Sequence, residues 1–193
     1  MRLFYNTQIE EYVHLKPNQI VPTYLDHLLR NAKDKFENRF NNEIFIIKVN
    51  SIVRVISNII DSDSPERSII FHLIMGVLAC NLSEDMEITA QVAHYVHGFM
   101  LCLIHPVKVA IRIKDLDMEN FMEDGEFIYK LNDTDEDSPQ SRLMEGEFVR
   151  VVVLNFKEFP EKSEILCMAR LLRMADAEEI EEFKMRDTTE EYV

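Results

Sequence analysis

Three groups of residues in this chain have the types and spacing that chemistry could use. His94, His97 and His105 lie close together in sequence, and imidazoles at such spacing can share a metal ion. No cysteine pair and no second ligand cluster stands in register with them, so histidines at the turns of a small barrel are the better reading and no metal is expected. The second group is acidic, with 12 Asp and Glu against Lys130 and Arg142 between Asp115 and Glu147. Paired carboxylates do acid–base work only where burial or a neighbouring charge moves a pKa. Nothing in the sequence around these supplies an apolar pocket or a basic partner, so they read as a solvated loop, and a hydrolase is the weakest of the function classes.

The third group is basic and aromatic. Lys108, Arg112 and Lys114 recur at even spacing among apolar residues, with His97 and Phe99 just upstream. Such a face could lie along RNA phosphates while rings stack on bases. An ordinary solvated strand face has the same alternation, and the residues alone leave both readings open. Glycine-rich phosphate loops and nucleophile elbows are absent, so no cofactor is expected.

Positioning any of these groups takes a packed core. The chain has 193 residues, 47% of them hydrophobic, which suits one large or two small domains. No apolar run approaches the ~20 residues of a membrane span, and the start MRLFYNTQIEE has no secretory core. A soluble intracellular protein is expected. Cys80, Cys102 and Cys167 are an odd set, each inside an apolar run, and read as reduced core thiols. The net charge of −14 argues against nucleic acid, but its distribution matters more than its sum. Residues 1–80 carry 9 basic and 9 acidic side chains; residues 115–147 are net −10 and residues 176–193 net −6. The remainder, 81–114 with 148–175, has 8 basic against 6 acidic residues and is mildly positive.

The first 80 residues read as β-α-β-β-β. A short extended start turns Val13 and Leu15 to one side, and KPNQIVP (Lys16 to Pro22) is a loop. Leu25, Leu28, Leu29, Ala32, Phe36 and Phe40 then recur at helical spacing as far as Asn41-Asn42. EIFIIKV (Glu43 to Val49) and IVRVISNII (Ile52 to Ile60) read as two strands, DSDSP (Asp61 to Pro65) as a turn, and SIIFHLIMGVLA (Ser68 to Ala79) as one long strand. Further on, Ile88, Ala90 and Val92 alternate, HGF (His97 to Phe99) turns, Phe99 to Ile104 is apolar on both faces, and Val107 to Lys114 alternates again. Beyond the acidic stretch come strands at Phe148 to Phe156 and Ile165 to Leu172, then DAEEIEEFKM (Asp176 to Met185), able to form an acidic helix. Five strands with a long insertion between the third and fourth suggest an OB-type barrel. The expected fold class is α+β: an N-terminal domain at 1–82, a five-stranded barrel at 83–175 with an acidic insertion at 115–147, and an acidic C-terminal tail at 176–193.

VHLKPNQIVP followed by a helix, strands, a tip turn, a long strand, and a barrel whose second strand opens with HGF and leads to PVKVAI resembles the larger stalk subunit of eukaryotic and archaeal RNA polymerases. That subunit is the seventh of eukaryotic polymerase II and the E subunit in archaea, and the likeness covers roughly residues 9 to 174. The chain departs from the family in having no glycine in SEDMEITAQV (Ser83 to Val92) or in the tip turn Asp61 to Pro65. A divergent copy so poor in glycine and rich in Asn and Ile would suit a large DNA virus encoding its own polymerase.

The resemblance implies a non-catalytic subunit of DNA-directed RNA polymerase with no active site of its own. Its N-terminal tip domain would dock on the large subunits of the polymerase core through Lys16, Pro17, Ile20, Val21 and Pro22 of the loop and Asp61, Ser62, Asp63, Ser64 and Pro65 of the turn. The barrel would meet nascent RNA weakly through His97, Phe99, Lys108, Arg112 and Lys114, or meet transcription factors, and a smaller stalk subunit could accompany it. No membrane is involved; the setting would be a nucleus for a cellular protein, and the cytoplasm or the virion for one from a large DNA virus. The alternative is a free-standing OB-fold RNA-binding module of translation or RNA decay. A stalk subunit requires an exposed apolar rim at Lys16 to Pro22 and Asp61 to Pro65, and a free module does not. Gly98 is first a structural residue, because a closed barrel turns sharply at the start of its second strand.

Overall fold

The computed structural model describes residues 3–42, 44–61, 67–96, 98–116, 121–124, 127–130 and 141–190, of which 113–115, 122–124, 127–130, 141–142 and 186–190 are described by their backbone alone. The backbone forms two compact units, Met1–Asn81 and Leu82–Val193.

The first unit contains β1 (Phe4–Leu15), a 3-10 turn (Pro17–Gln19), α1 (Tyr24–Phe36), β2 (Arg39–Asn41), β3 (Ile44–Ile60) and β4 (Ile69–Cys80). Its strands make one antiparallel sheet in the order β1-β4-β3-β2. α1 buries Leu28, Ala32 and Phe36 against one sheet face, where Val13, Leu15, Ile46, Val49, Leu73, Met75 and Val77 are all inaccessible or nearly so. The helix is shorter than its apolar spacing suggested. Asn38 takes φ 56° and Asn42 φ 54°, a left-handed conformation that asparagine tolerates, so the chain turns twice around the three-residue strand β2. Phe40 thereby leaves the helix and packs edge-on against Phe45, with ring centroids 5.1 Å apart.

The two strands expected at Glu43 to Val49 and Ile52 to Ile60 are a single strand, β3. It runs beside β4 with register shifts that skip Ile47, Asn50, Val53 and Ile56, one every third residue. Each skipped residue is a β-bulge, which adds one residue without a partner and increases the local twist. The sequence of this stretch is accordingly a three-residue repeat, IIK-VNS-IVR-VIS. The first residue of each triplet (Ile46, Val49, Ile52, Val55) packs in the core under α1, the second is the bulge, and the third is polar.

The second unit follows as β5 (Glu87–Val96), β6 (Phe99–Ile104), β7 (Val107–Leu116), three short strands β8 (Phe121–Asp124), β9 (Phe127–Lys130) and β10 (Ser141–Arg142), then β11 (Phe148–Phe159), β12 (Glu164–Met174) and α2 (Ala177–Glu190). A closed barrel forms in the order β11-β12-β7-β6-β5, with β11 returning to pair with β5. β12 runs parallel to β7, and the other neighbouring barrel strands are antiparallel. Counted within the barrel this is the 1-2-3-5-4 circuit of an OB fold, and the fold class is α+β. Alternate residues of every strand fill the interior, among them Ala90, Met100, Cys102, Val109, Ile111, Val151, Cys167 and Leu171. All three cysteines are free and buried. Burial pushes the thiols of Cys102 and Cys167 up to about 12.

Gly98 turns β5 into β6 at φ 83°. A Cβ there would meet nothing within 4 Å, so the requirement is the backbone torsion and not crowding. One expectation needs correction. The acidic insertion is not all loop: β8, β9 and β10 form a small sheet and Phe121 is 1% exposed, because FMED and FIYK carry Phe121, Phe127, Ile128 and Tyr129, which favour strands; residues 131–140 lie outside the described residues. The acidic segment from Asp176 forms the helix that its sequence allowed. α2 begins with reciprocal bonds between Asp176 and Glu179, each backbone N–H donating to the other's carboxylate at 3.0 and 2.9 Å. It packs Phe183, 7% exposed, against the ring of Phe148 at 5.0 Å. Among the described residues no helix is long and apolar enough to cross a membrane.

Candidate functional site

The loop expected to dock and Asp61, where the expected docking turn begins, leave the first sheet at one end. Leu15 of β1 and Ile60 of β3 flank Ile69 of β4 on the same rung, so the loop that leaves β1 and the turn that joins β3 to β4 start side by side. The loop is held from behind. Gln19 and Asn31 exchange side-chain bonds at 3.1 and 3.2 Å, Asn31 Nδ2 also donates to the His14 carbonyl at 2.8 Å, and the Lys16 backbone N–H donates to Gln19 Oε1 at 2.9 Å. These bonds tie the 3-10 turn to α1 and leave Ile20 and Val21 facing outward, 49% and 40% exposed. Across from them β3 ends on Ile59 and Ile60, 61% and 70% exposed. Asp61 closes the hairpin, its N–H donating to the Ser68 carbonyl at 2.9 Å. Ser62, Asp63, Ser64 and Pro65 lie outside the described residues.

Separately, a groove of about 330 Å³ lies between α1 and β3, lined by Leu25, Leu29, Ile52 and Val53, with Asp26 and Arg54 beside them. The sequence reading did not single out Val53, Ile56, Ile59 and Ile60 of β3 as surface residues. Their signal was present as apolar residues in excess of what a half-buried strand needs, hidden while β3 was read as two separate strands.

The second expected surface is the outside of β6 and β7. Phe99 stands opposite Arg112 and Leu103 opposite Lys108. Phe99 is 38% exposed, and Arg112 is half-buried. Lys108 Nζ bonds Glu164 Oε1 at 2.7 Å, which offsets its charge. Lys114 lies in β7 with only its backbone described, and His97 lies outside the described residues. The face around Lys108 is apolar: its rung partners Leu103 and, on the adjoining strand, Leu166 are 46% and 43% exposed, and the next rung toward Arg112 is Leu101, Ala110 and Met168, with Ala110 buried. Ring and cation are thus brought together at Phe99 and Arg112, on a surface less basic than the alternation suggested. His94 Nδ1 is 3.7 Å from Glu145 Oε1. No group of three or more His, Cys, Asp or Glu among the described residues is placed to hold a metal.

No family model matches the chain. It is 27% identical, over 182 residues that make up 94% of this chain and 88% of the other, to a protein of Acanthamoeba polyphaga mimivirus provisionally named a DNA-directed RNA polymerase subunit. A match of that length spans most of both units, and the chain is a divergent homologue of the viral protein.

Proposed function

We propose that this homologue of a polymerase subunit is itself a subunit of a multisubunit DNA-directed RNA polymerase. Within that enzyme we assign it the place of the larger stalk subunit. It has no active site and no cofactor of its own; the domain at 1–82 docks on the large core subunits, and the barrel domain at 83–175 is offered to nascent RNA or to transcription factors, with room in the same reading for a smaller stalk partner. It then works wherever its polymerase does: a nucleus, or the cytoplasm or virion of a large DNA virus.

The observation that carries the docking reading is the apolar end built from Ile20, Val21, Ile59 and Ile60, all of them 40% exposed or more. A free-standing module has no use for four large aliphatic side chains at one end of a sheet. Covering the area they still expose would contribute roughly 3–6 kcal/mol for the four together, a substantial part of what association costs. Replacing Ile20→Asp and Val21→Asp together should reduce incorporation into reconstituted polymerase at least tenfold while the isolated chain keeps its melting temperature, because both side chains already face solvent. Undiminished incorporation defeats the docking assignment, and a chain that purifies as a soluble monomer with no large subunits attached favours the free module.

For the barrel, the carrying observation is Phe99 beside Arg112. Contact with RNA there should be weak, sequence-tolerant and salt-sensitive. Crosslinking of nascent RNA in the assembled enzyme, wild type against Lys108→Glu, Arg112→Glu and Lys114→Glu combined, decides it. If the triple change leaves the crosslinks untouched, the face binds protein.

A further inference from the structure

Arg150 of β11 and Arg173 of β12 are direct cross-strand partners. Two guanidiniums on facing rungs repel each other unless an anion joins them. Here the anion is Glu179 of α2, which takes both Arg173 Nη groups in a two-pronged bond at 2.8 and 2.9 Å and lies 3.5 Å from Arg150 Nε. Arg150 also reaches Glu87 at 3.3 Å and Thr89 Oγ1 at 3.1 Å. Glu179 holds Arg173 above the ordinary guanidinium value. Two residues before Arg150 on the same strand face is Phe148, which is covered by the ring of Phe183 at 5.0 Å and by Lys184 Nζ at 5.7 Å. α2 therefore lays a carboxylate on an arginine pair and a ring on a ring. Phe183 is the only described side chain of the helix that is buried.

We propose that Phe148, Arg150 and Arg173 form a single-stranded RNA site on the outer face of β11 and β12, and that α2 occupies it in the resting chain, Glu179 standing where a phosphate would lie and Phe183 where a base would stack. The arginine fork suits phosphate as it suits carboxylate, and an exposed ring beside paired cations is the usual platform for single strands. The charge distribution agrees. The acidic segment 176–193 is net −6, whereas the barrel sequence outside it and outside 115–147 has 8 basic against 6 acidic residues when residues 81–114 and 148–175 are counted. Removing α2 from the face leaves the two guanidiniums against the carboxylates of Glu87, 3.3 Å from Arg150, and of Asp176, 3.6 Å from Arg173 just ahead of the helix, in place of the bridging Glu179. This site lies apart from the β6–β7 face and does not depend on docking to a polymerase.

The test uses the full chain and a fluorescein-labelled 12-nucleotide oligouridylate, read by anisotropy across a salt series. Phe183→Ser, which releases the helix without changing charge, should bind at least about tenfold more tightly than wild type, since apparent affinity scales with the open fraction. The slope of log K against log salt should steepen by about 0.7, for the one phosphate that takes the place of Glu179. Adding Arg150→Ala and Arg173→Ala to that variant should remove the gain. Glu179→Gln keeps the ring packing and should raise affinity about threefold, whereas Glu181→Gln on the same helix should leave it unchanged, so the inference stays testable even if Phe183→Ser destabilises the barrel. A folded Phe183→Ser chain with wild-type affinity overturns the proposal, as does an equal gain from Glu181→Gln, which would make it bulk charge. If a synthetic peptide of residues 176–190 binds the Phe183→Ser chain and the oligouridylate does not, the site belongs to an acidic helix and the RNA assignment fails.

Discussion

The four bulges of β3 make a prediction about deletions that a regular strand would not. Asn50 is the skipped residue between the pairs Val49–Val77 and Ser51–Gly76. Removing it brings those two rungs together and leaves every other pair of β3 with β4 intact, so Ile52 and Val55 stay in the core. The losses are one bulge and an exposed bond from Asn50 Nδ2 to Asn6 Oδ1 at 3.3 Å, together about 1–2 kcal/mol. Ile74 of β4 has no such slack, because it pairs with Glu10 on one side and Arg54 on the other. Deleting it forces one half of β4 to slip by a rung and turn over. On the shorter side Phe71 and Leu73, 7% and 0% exposed, would leave the core and His72 would enter it. Two large apolar side chains at roughly 2–3 kcal/mol each, with a buried imidazole to accommodate, come to about 6 kcal/mol or more. That approaches the whole stability of an ordinary domain. The chain has no tryptophan, so urea unfolding of the two deletion variants should be followed by far-ultraviolet circular dichroism. The Asn50 deletion should retain a cooperative transition shifted slightly to lower urea, and the Ile74 deletion should show none for the first unit. Equal damage from both deletions would refute the idea that the bulges, and not residue-by-residue pairing, set the register of β3.

Gly98→Ala should cost about 1–2 kcal/mol, the penalty of a side chain at positive φ, and lower the melting temperature by a few degrees; a loss beyond about 4 kcal/mol would mean that the added methyl collides with something, contrary to the open space around it. Cys102 and Cys167 should resist a thiol reagent at pH 8 in the folded protein and react at once in urea, since their folded pKa values are raised to about 12 from 9.0. The same shift has a sign in stability. Above pH 9 the unfolded thiols give up protons that the folded ones keep, so unfolding gains, and stability should fall by about 1.4 kcal/mol per pH unit for each thiol until the folded values are reached. Replacing Cys102→Ala and Cys167→Ala together should flatten the alkaline limb of a pH–stability curve; an unchanged slope would count against the shift.

What could be read from the sequence followed from periodicity. Val107, Val109 and Ile111 alternate with polar or small residues and do line the barrel, and Leu28, Ala32 and Phe36 do line the helix, because one face of each element is apolar and the other is not. β3 escaped because its period is three: a bulge in each repeat turns the familiar two-residue alternation into a triplet, and a search for alternation breaks the run at Asn50-Ser51. Phe40 fell on the helical spacing, yet Asn38 redirected the backbone before it was reached. The candidate docking loop was marked by Pro17 and Pro22, whereas its outward-facing neighbours Ile59 and Ile60 become visible only when the strand ends are aligned. Arg150 and Arg173 have no sequence signal at all. Nothing but the register of β11 with β12 puts them on the same rung.

The parallel pairing of β12 with β7 also sets a timetable for synthesis. β5, β6 and β7 are complete when residue 116 has been made, and as a three-stranded meander they present the outer edge of β7 with nothing to cover it. The strand that covers that edge starts at Glu164, 48 residues after Leu116. At about 5–20 residues per second a ribosome takes roughly 2–10 s to supply it. During that interval the edge is open to any other extended chain, a neighbouring nascent copy on the same messenger included. Slower codons placed between β7 and β12, or a stop before residue 164, should therefore reduce the yield of soluble protein more than the same changes made after Met174.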